Sequence, residues 1–332
     1  MRVRCRPPAR LRLVLSLVVA LASGCDDESR SKPRPSPLAS DACLVLASTR
    51  CAAFAHCADA FPLERRFRSR EVCVERLALE CAVFERAPGT AIDAAWTSAC
   101  AAAHRSVSCD VLLHADVIPG CEPPRGTLAD GAPCVVDAQC AGGRCGFDAG
   151  GTCGSCGSPG GLGASCATIP CATGFACNEH VVCAVPALEG EPCGRSVPCA
   201  KGTSCVGASH VAMGVCVADA RTPGATCDPA YATGGGCDEA LGLGCDPVSS
   251  TCVVVTVREP IEACNLGDPT VICGEGSECL GTATGTACAV VPSEGDACDR
   301  YGVPCLEPSV CRVAAGSVQG VCLLPDDSLD CP

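Results

Sequence analysis

The spacing of apolar residues divides the chain into three regimes. Residues 1–24 open with Arg2, Arg4, Arg6, Arg10 and Arg12 and continue into an apolar stretch from Leu13 to Ala22. A basic front before an apolar core well short of the ~20 residues of a membrane span reads as an export signal. Residues 41–122 then adopt a helical period. Cys43, Ala47, Cys51 and Phe54 share one face, and Cys73, Leu77, Cys81 and Phe84 share another. Ile92, Trp96, Ala99 and Ala103 form a third stripe, opened by a capping-box-like Thr90 and Asp93. Pro62 and Pro88-Gly89 break these runs, so the pattern predicts a small bundle of three or four helices. From 123 to 332 the helical period is gone. Clusters such as Val253–Val255 and Val290-Val291 predict short strands, joined by hairpins and loops where Gly and Pro intervene.

A cysteine ladder replaces the apolar period in that last region. Its six units begin at Cys134, Cys166, Cys193, Cys227, Cys264 and Cys298, 27 to 37 residues apart. A glycine stands three residues before the first cysteine in five units (Gly131, Gly163, Gly190, Gly224 and Gly295), and Ile261 replaces it in the fifth. The second and third cysteines are Cys140 and Cys145, Cys171 and Cys177, Cys199 and Cys205, Cys237 and Cys245, Cys273 and Cys279, and Cys305 and Cys311. Three of these pairs are written C-x-x-G-x-x-C. The fourth positions are Cys183, Cys216, Cys252, Cys288 and Cys322, while Cys153 and Cys156 compete for that place in the first unit. Cys331 is left over. A fixed repeat of this kind signals an array of small units. About 30 residues cannot bury enough apolar surface to offset chain entropy, so two disulfides per unit are expected, each contributing roughly 2–4 kcal/mol. Four cysteines allow three pairings, which spacing leaves open.

The helical region carries eight cysteines of its own: Cys43, Cys51, Cys57, Cys73, Cys81, Cys100, Cys109 and Cys121, enough for about four internal disulfides. Two cleavage readings compete upstream. Ala20-Leu21-Ala22 suits ordinary release before Ser23, whereas Leu21 to Cys25 resembles a bacterial lipobox, with Leu21 one place too far from the cysteine. The cysteine total favours the second. Of 36 cysteines Cys5 leaves with the signal, and lipidating Cys25 leaves 34, an even number with no orphaned thiol. Residues 25–40 are Pro- and Ser-rich and suit a tether from a membrane surface.

Charge and chemistry narrow the function classes. Removing the five signal arginines from 24 basic residues leaves 19 against 37 acidic ones, a net −18 that disfavours nucleic acid. Aromatic residues are only 3 %, so no large single core is expected in the array. Cys153-Gly-Ser-Cys156 matches the C-x-x-C of thiol oxidoreductases but lies in a Gly-rich loop, where a structural staple is the expectation. His56, His104, His114, His180 and His210 are scattered, without metal-site spacing. Gly163-Ala-Ser165-Cys-Ala167 only approximates a nucleophile elbow, and Asp326 to Asp330 lacks a calcium-loop pattern. The expectation is of no catalytic residue, no cofactor and no metal.

The array's spacing, G-x-x-C followed by C-x-x-G-x-x-C, resembles the Dickkopf N-terminal cysteine-rich region and, loosely, EGF-like modules. Over most of its length the chain resembles the cysteine-rich envelope lipoproteins of myxobacterial type, most specifically in Gly126 to Cys134. That resemblance implies location and architecture more than activity. The expected fold is small and disulfide-rich: an all-α disulfide-bonded bundle at 41–122, then six short hairpin-and-loop modules at 123–332. The expected role is that of a non-enzymatic protein, lipid-anchored in the cell envelope, with a protein partner. A secreted inhibitor, or an exported oxidoreductase using Cys153 and Cys156, is the alternative.

Overall fold

The computed structural model describes residues 39–115, 117–147, 154–265, 267–274, 277–282, 285–299, 302–314 and 317–324. The export signal, Cys25, most of the tether, Cys153, the acidic 326–330 stretch and Cys331 therefore lie outside the described residues. The described residues open with five α-helices: α1 Asp41–His56, α2 Phe61–Phe67, α3 Arg70–Arg86, α4 Ala94–Ser106 and α5 Cys109–His114. Four of them start on a side-chain cap. Ser40, Ser69, Asp93 and Ser108 accept from the backbone N–H of Cys43, Val72, Trp96 and Val111 respectively, satisfying donors the first turn leaves open.

The stripes on α1 and α3 turn inward. Cys43, Ala47, Cys51, Phe54, Cys73, Leu77 and Cys81 are buried, and Phe84 is half-buried at the edge. Disulfides Cys43–Cys81 and Cys51–Cys73 clamp these helices together. Eight residues separate the cysteines on each helix in opposite directions, so the pairs fix an antiparallel register at two points about 12 Å apart. Cys57–Cys109 and Cys100–Cys121 complete the set. The third stripe needs correction. On α4 the buried side chains are Thr97, Cys100, Ala101 and His104, while Ala99 is exposed and Ala103 only half-buried. Asp93, not Thr90, is the cap, so the helix starts later and turns its disulfide-bearing face inward. Small alanines are a poor guide to which face is buried, because their exposure costs little.

In the array each repeat carries two disulfides joined first to third and second to fourth. They are Cys134–Cys145 with Cys140–Cys156, Cys166–Cys177 with Cys171–Cys183, and Cys193–Cys205 with Cys199–Cys216. Cys227–Cys245 with Cys237–Cys252, Cys264–Cys279 with Cys273–Cys288, and Cys298–Cys311 with Cys305–Cys322 follow the same rule. The third and fourth cysteines face each other across an antiparallel hairpin, as Cys205 does Cys216 and Cys311 does Cys322. Short sheets of two or three strands result. The cysteines themselves form most of the buried surface, as in the cluster of Cys134, Cys140, Cys145 and Cys156.

The conserved-spacing glycine now has a physical reason. Gly131, Gly163, Gly190, Gly224 and Gly295 all have φ between +78° and +84°, with open space where a Cβ would stand. Backbone conformation, not crowding, selects glycine there. The turn aims the position's N–H at the carbonyl of the fourth cysteine, as in Gly131 to Cys156 at 2.7 Å and Gly295 to Cys322 at 2.9 Å. Ile261 makes the same bond to Cys288 at 2.8 Å, at φ +67°, a region costly for a β-branched residue.

The helical domain and the array share one contact unit. Thr127 N–H donates to Gly89 O, and buried Gln139 donates to Pro88 O, holding the first repeat against the end of α3. Gly242 in the fourth repeat lies so close to α2 that a Cβ would stand 2.5 Å from the Phe61 ring. Arg68–Glu259 and Arg66–Glu307, each 2.7 Å, join α2 to the fifth and sixth repeats.

The strained position gives a direct test. Ile261→Gly is expected to stabilise the oxidised protein by about 1 kcal/mol, and Gly190→Ile to destabilise it by about 1–3 kcal/mol, in guanidinium unfolding.

Candidate functional site

A cleft of about 920 Å³ lies between the helical domain and the first and sixth repeats. Leu46, Phe54, Phe84, Trp96 and Leu112 contribute its helical wall. Val135, Val136 and Phe147 of the first repeat and Pro308 and Val310 of the sixth close it from the other side. First and last repeats thus meet over one site, which brings the array round the helices. The arrangement of the Trp96 indole is fixed by its N–H, which donates to Glu122 O at 2.9 Å.

Two polar groups mark the cleft's inner edge. Arg50 lies 3.7 Å from Glu80 and over the Phe54 ring. His104, one helical turn after Cys100, places Nδ1 3.0 Å from Cys100 O, so Nδ1 carries the proton and donates. Its Nε2 is buried without a partner. Burial holds the imidazole below its ordinary value of 6.5, so the ring is neutral near pH 7.

A buried arginine holds the sixth repeat on α3. Arg76 is 6 % exposed; its Nε donates to Glu307 O, and its Nη atoms reach Leu306 O, Ser309 Oγ and the Glu294 carboxylate. All three guanidinium nitrogens donate, through four hydrogen bonds, which is what a charge needs when removed from water. Burial raises the Glu294 pKa, but hydrogen bonds from Arg76 and Ser309 outweigh it and hold the carboxyl below its ordinary value. On the opposite side His114 Nε2 contacts the buried Asp238 carboxylate at 3.0 Å, and Arg221 bridges Asp110 and Asp238. The exposed pairs Arg66–Glu307 and Arg68–Glu259 contribute little by comparison.

Of the two cysteines of the alternative dithiol, Cys156 is bonded to Cys140, and Cys153 lies outside the described residues. His56, His180 and His210 are exposed, whereas His104 and His114 are each held by a specific contact. Arg76, His104 and His114 were not singled out by spacing. A charge at position 76, wedged between Cys73 and Leu77 on a buried face, is the local signal that could have flagged one. Among the described residues no helix is long and apolar enough to cross a membrane.

Arg76→Met is expected to cost about 3–5 kcal/mol in urea unfolding, because it strands the Glu294 carboxylate. Limited proteolysis should then cut the sixth repeat first. The pH dependence has a defined sign. The folded Glu294 value lies below 4.5, so its contribution is complete above the unfolded value and is lost as pH falls through the folded one. Urea midpoints should therefore drop below about pH 4.5, and less so in Glu294→Gln.

Among the described residues thirty-two cysteines form sixteen disulfides, as expected of a stable, extracellular-type protein suited to an oxidising compartment outside the cytoplasm. No family model, no curated protein and no solved structure matches the chain.

Proposed function

We propose that this is a non-enzymatic cell-envelope protein, anchored by a lipid on Cys25, whose six repeats are copies of one module serving protein contact or a structural role. The observation that carries the reading is the saturation of the described cysteines. The described disulfides use 32 of the 36, leaving Cys5, Cys25, Cys153 and Cys331. Loss of Cys5 with the signal would leave three, an odd number. Lipidation of Cys25 leaves Cys153 and Cys331 as an even remainder, the state an oxidising compartment favours.

The array's surface supports a role in contact rather than chemistry. Leu162, Leu188, Val211 and Met213 in the second and third repeats are all more than half exposed. Apolar side chains displayed on a stapled, low-entropy scaffold suit a protein partner, since little further ordering is needed on binding. The acidic surface makes nucleic acid an unfavourable partner.

Intact mass of the protein from native membranes, before and after reduction and alkylation, tests this. The expected species carries a diacylglyceryl group on Cys25 and 34 oxidised cysteines. An unlipidated chain beginning at Ser23, or an alkylated thiol before reduction, contradicts the proposal.

A further inference from the structure

Cys100–Cys121 differs from the other described disulfides in its surroundings. His104 Nδ1 lies 3.6 Å from Cys100 Sγ and 3.4 Å from Cys121 Sγ, while donating to Cys100 O. Among the described residues no other disulfide has a histidine nitrogen this close to both sulfurs. The helix sets the geometry, because Cys100 and His104 are four residues apart on the buried face of α4. Both cysteines and His104 also line the 920 Å³ cleft. Cys121 is half-buried there while Cys100 is 4 % exposed, so an incoming group reaches the Cys121 sulfur more readily.

We propose that Cys100–Cys121 is a thiol-exchange site for a low-molecular-weight thiol entering the cleft, with His104 as the positioning residue that stabilises the departing sulfur. An external thiolate attacks Cys121 Sγ, forming a mixed disulfide. The S–S electron pair leaves on Cys100 Sγ, 3.6 Å from the His104 Nδ1 that now donates to Cys100 O. A second thiolate attacks the external sulfur of the mixed disulfide and releases the Cys121 thiolate. Two external thiols are thus oxidised to their disulfide and the protein disulfide gains two electrons. An N–H now given to Cys100 O but within reach of the leaving sulfur can share its proton with the thiolate that forms there, which lowers that thiol's pKa and speeds departure. It also favours the reduced form, making this the more readily reduced pair. The neutral His104 can take up a proton at Nε2 once a thiolate stands beside it, forming an ion pair where burial alone disfavours the charge.

The site lies at a joint. Cys121 immediately precedes the segment that enters the first repeat, so opening this disulfide frees the covalent link between α4 and the start of the array. The activity is independent of the lipid anchor and goes beyond the structural role proposed above.

Stepwise reduction of the full oxidised chain tests the inference. Dithiothreitol is raised in increments, thiols are trapped with iodoacetamide, and labelled peptides are ranked by mass spectrometry. Accessibility alone predicts that Cys166–Cys177 opens first, because Cys177 is exposed. The proposed site instead predicts Cys100 and Cys121 first. His104→Phe, which keeps ring volume and removes the donor, should slow labelling of Cys100 about tenfold and leave Cys166–Cys177 unchanged. Labelling of Cys100–Cys121 together with or after the other pairs overturns the proposal, as does an unchanged rate in His104→Phe. Should that variant fail to accumulate, the wild-type order decides alone.

Discussion

Every repeat depends on one constraint: two crossed disulfides must do the work of a core too small to exist. The loops they close run from 11 to 18 residues. At that length each contributes on the order of 3 kcal/mol through the unfolded chain. The first-to-third and second-to-fourth order makes each loop enclose one end of the other. Neither half of a repeat can then expand while the other stays folded. Hydrogen bonds from the left-handed turn to the fourth cysteine complete the unit, and the side chains around it are free to vary. This explains how Pro308 can stand where three other repeats have glycine, and how the fourth repeat lengthens its central gap. Its longer first loop is organised locally instead. Asp228 accepts from the backbone of Thr233, Ala230 and Ala232, which pushes its carboxyl down to about 2.

Small disulfide units have little surface to spare for docking on one another, and the helical domain supplies what they lack. Its contribution is mostly polar. Arg76, Gln139 and the His114–Asp238 contact each use buried or half-buried groups with partners matched in direction. Such contacts specify orientation more than they add stability, because desolvation offsets much of the attraction. Between them the cleft is left open and apolar, bounded by the beginning and end of the array.

The parts of this structure legible in the sequence are those governed by local rules. The stripes of α1 and α3 showed because cysteine and leucine recur at helical spacing and both are buried. The repeat showed because a left-handed turn selects glycine wherever it recurs. Disulfide order was not legible: spacing leaves three pairings open, and the hairpin register that brings Cys205 opposite Cys216 decides among them. The face of α4 was misread since alanine burial is nearly silent in sequence. The packing of the array against the helical domain was not legible either. That packing is carried by Arg76, Arg66 and His114, residues whose charge locally suggests solvent. Their partners lie 124 to 241 positions away, a distance no periodicity can report.

Meeting of the first and last repeats over a single cleft has an evolutionary corollary. Open solenoids grow and shrink by tandem duplication, since each added unit contacts only its neighbours. A belt whose final buckle is Arg76 lacks that freedom. One extra unit would carry Glu294 and Ser309 past the arginine and present it with the wrong loop; one fewer would leave it facing water. The Arg76 contact thus ties the fold to the particular units it holds, and change is accommodated more easily inside a unit than by inserting another ahead of this joint.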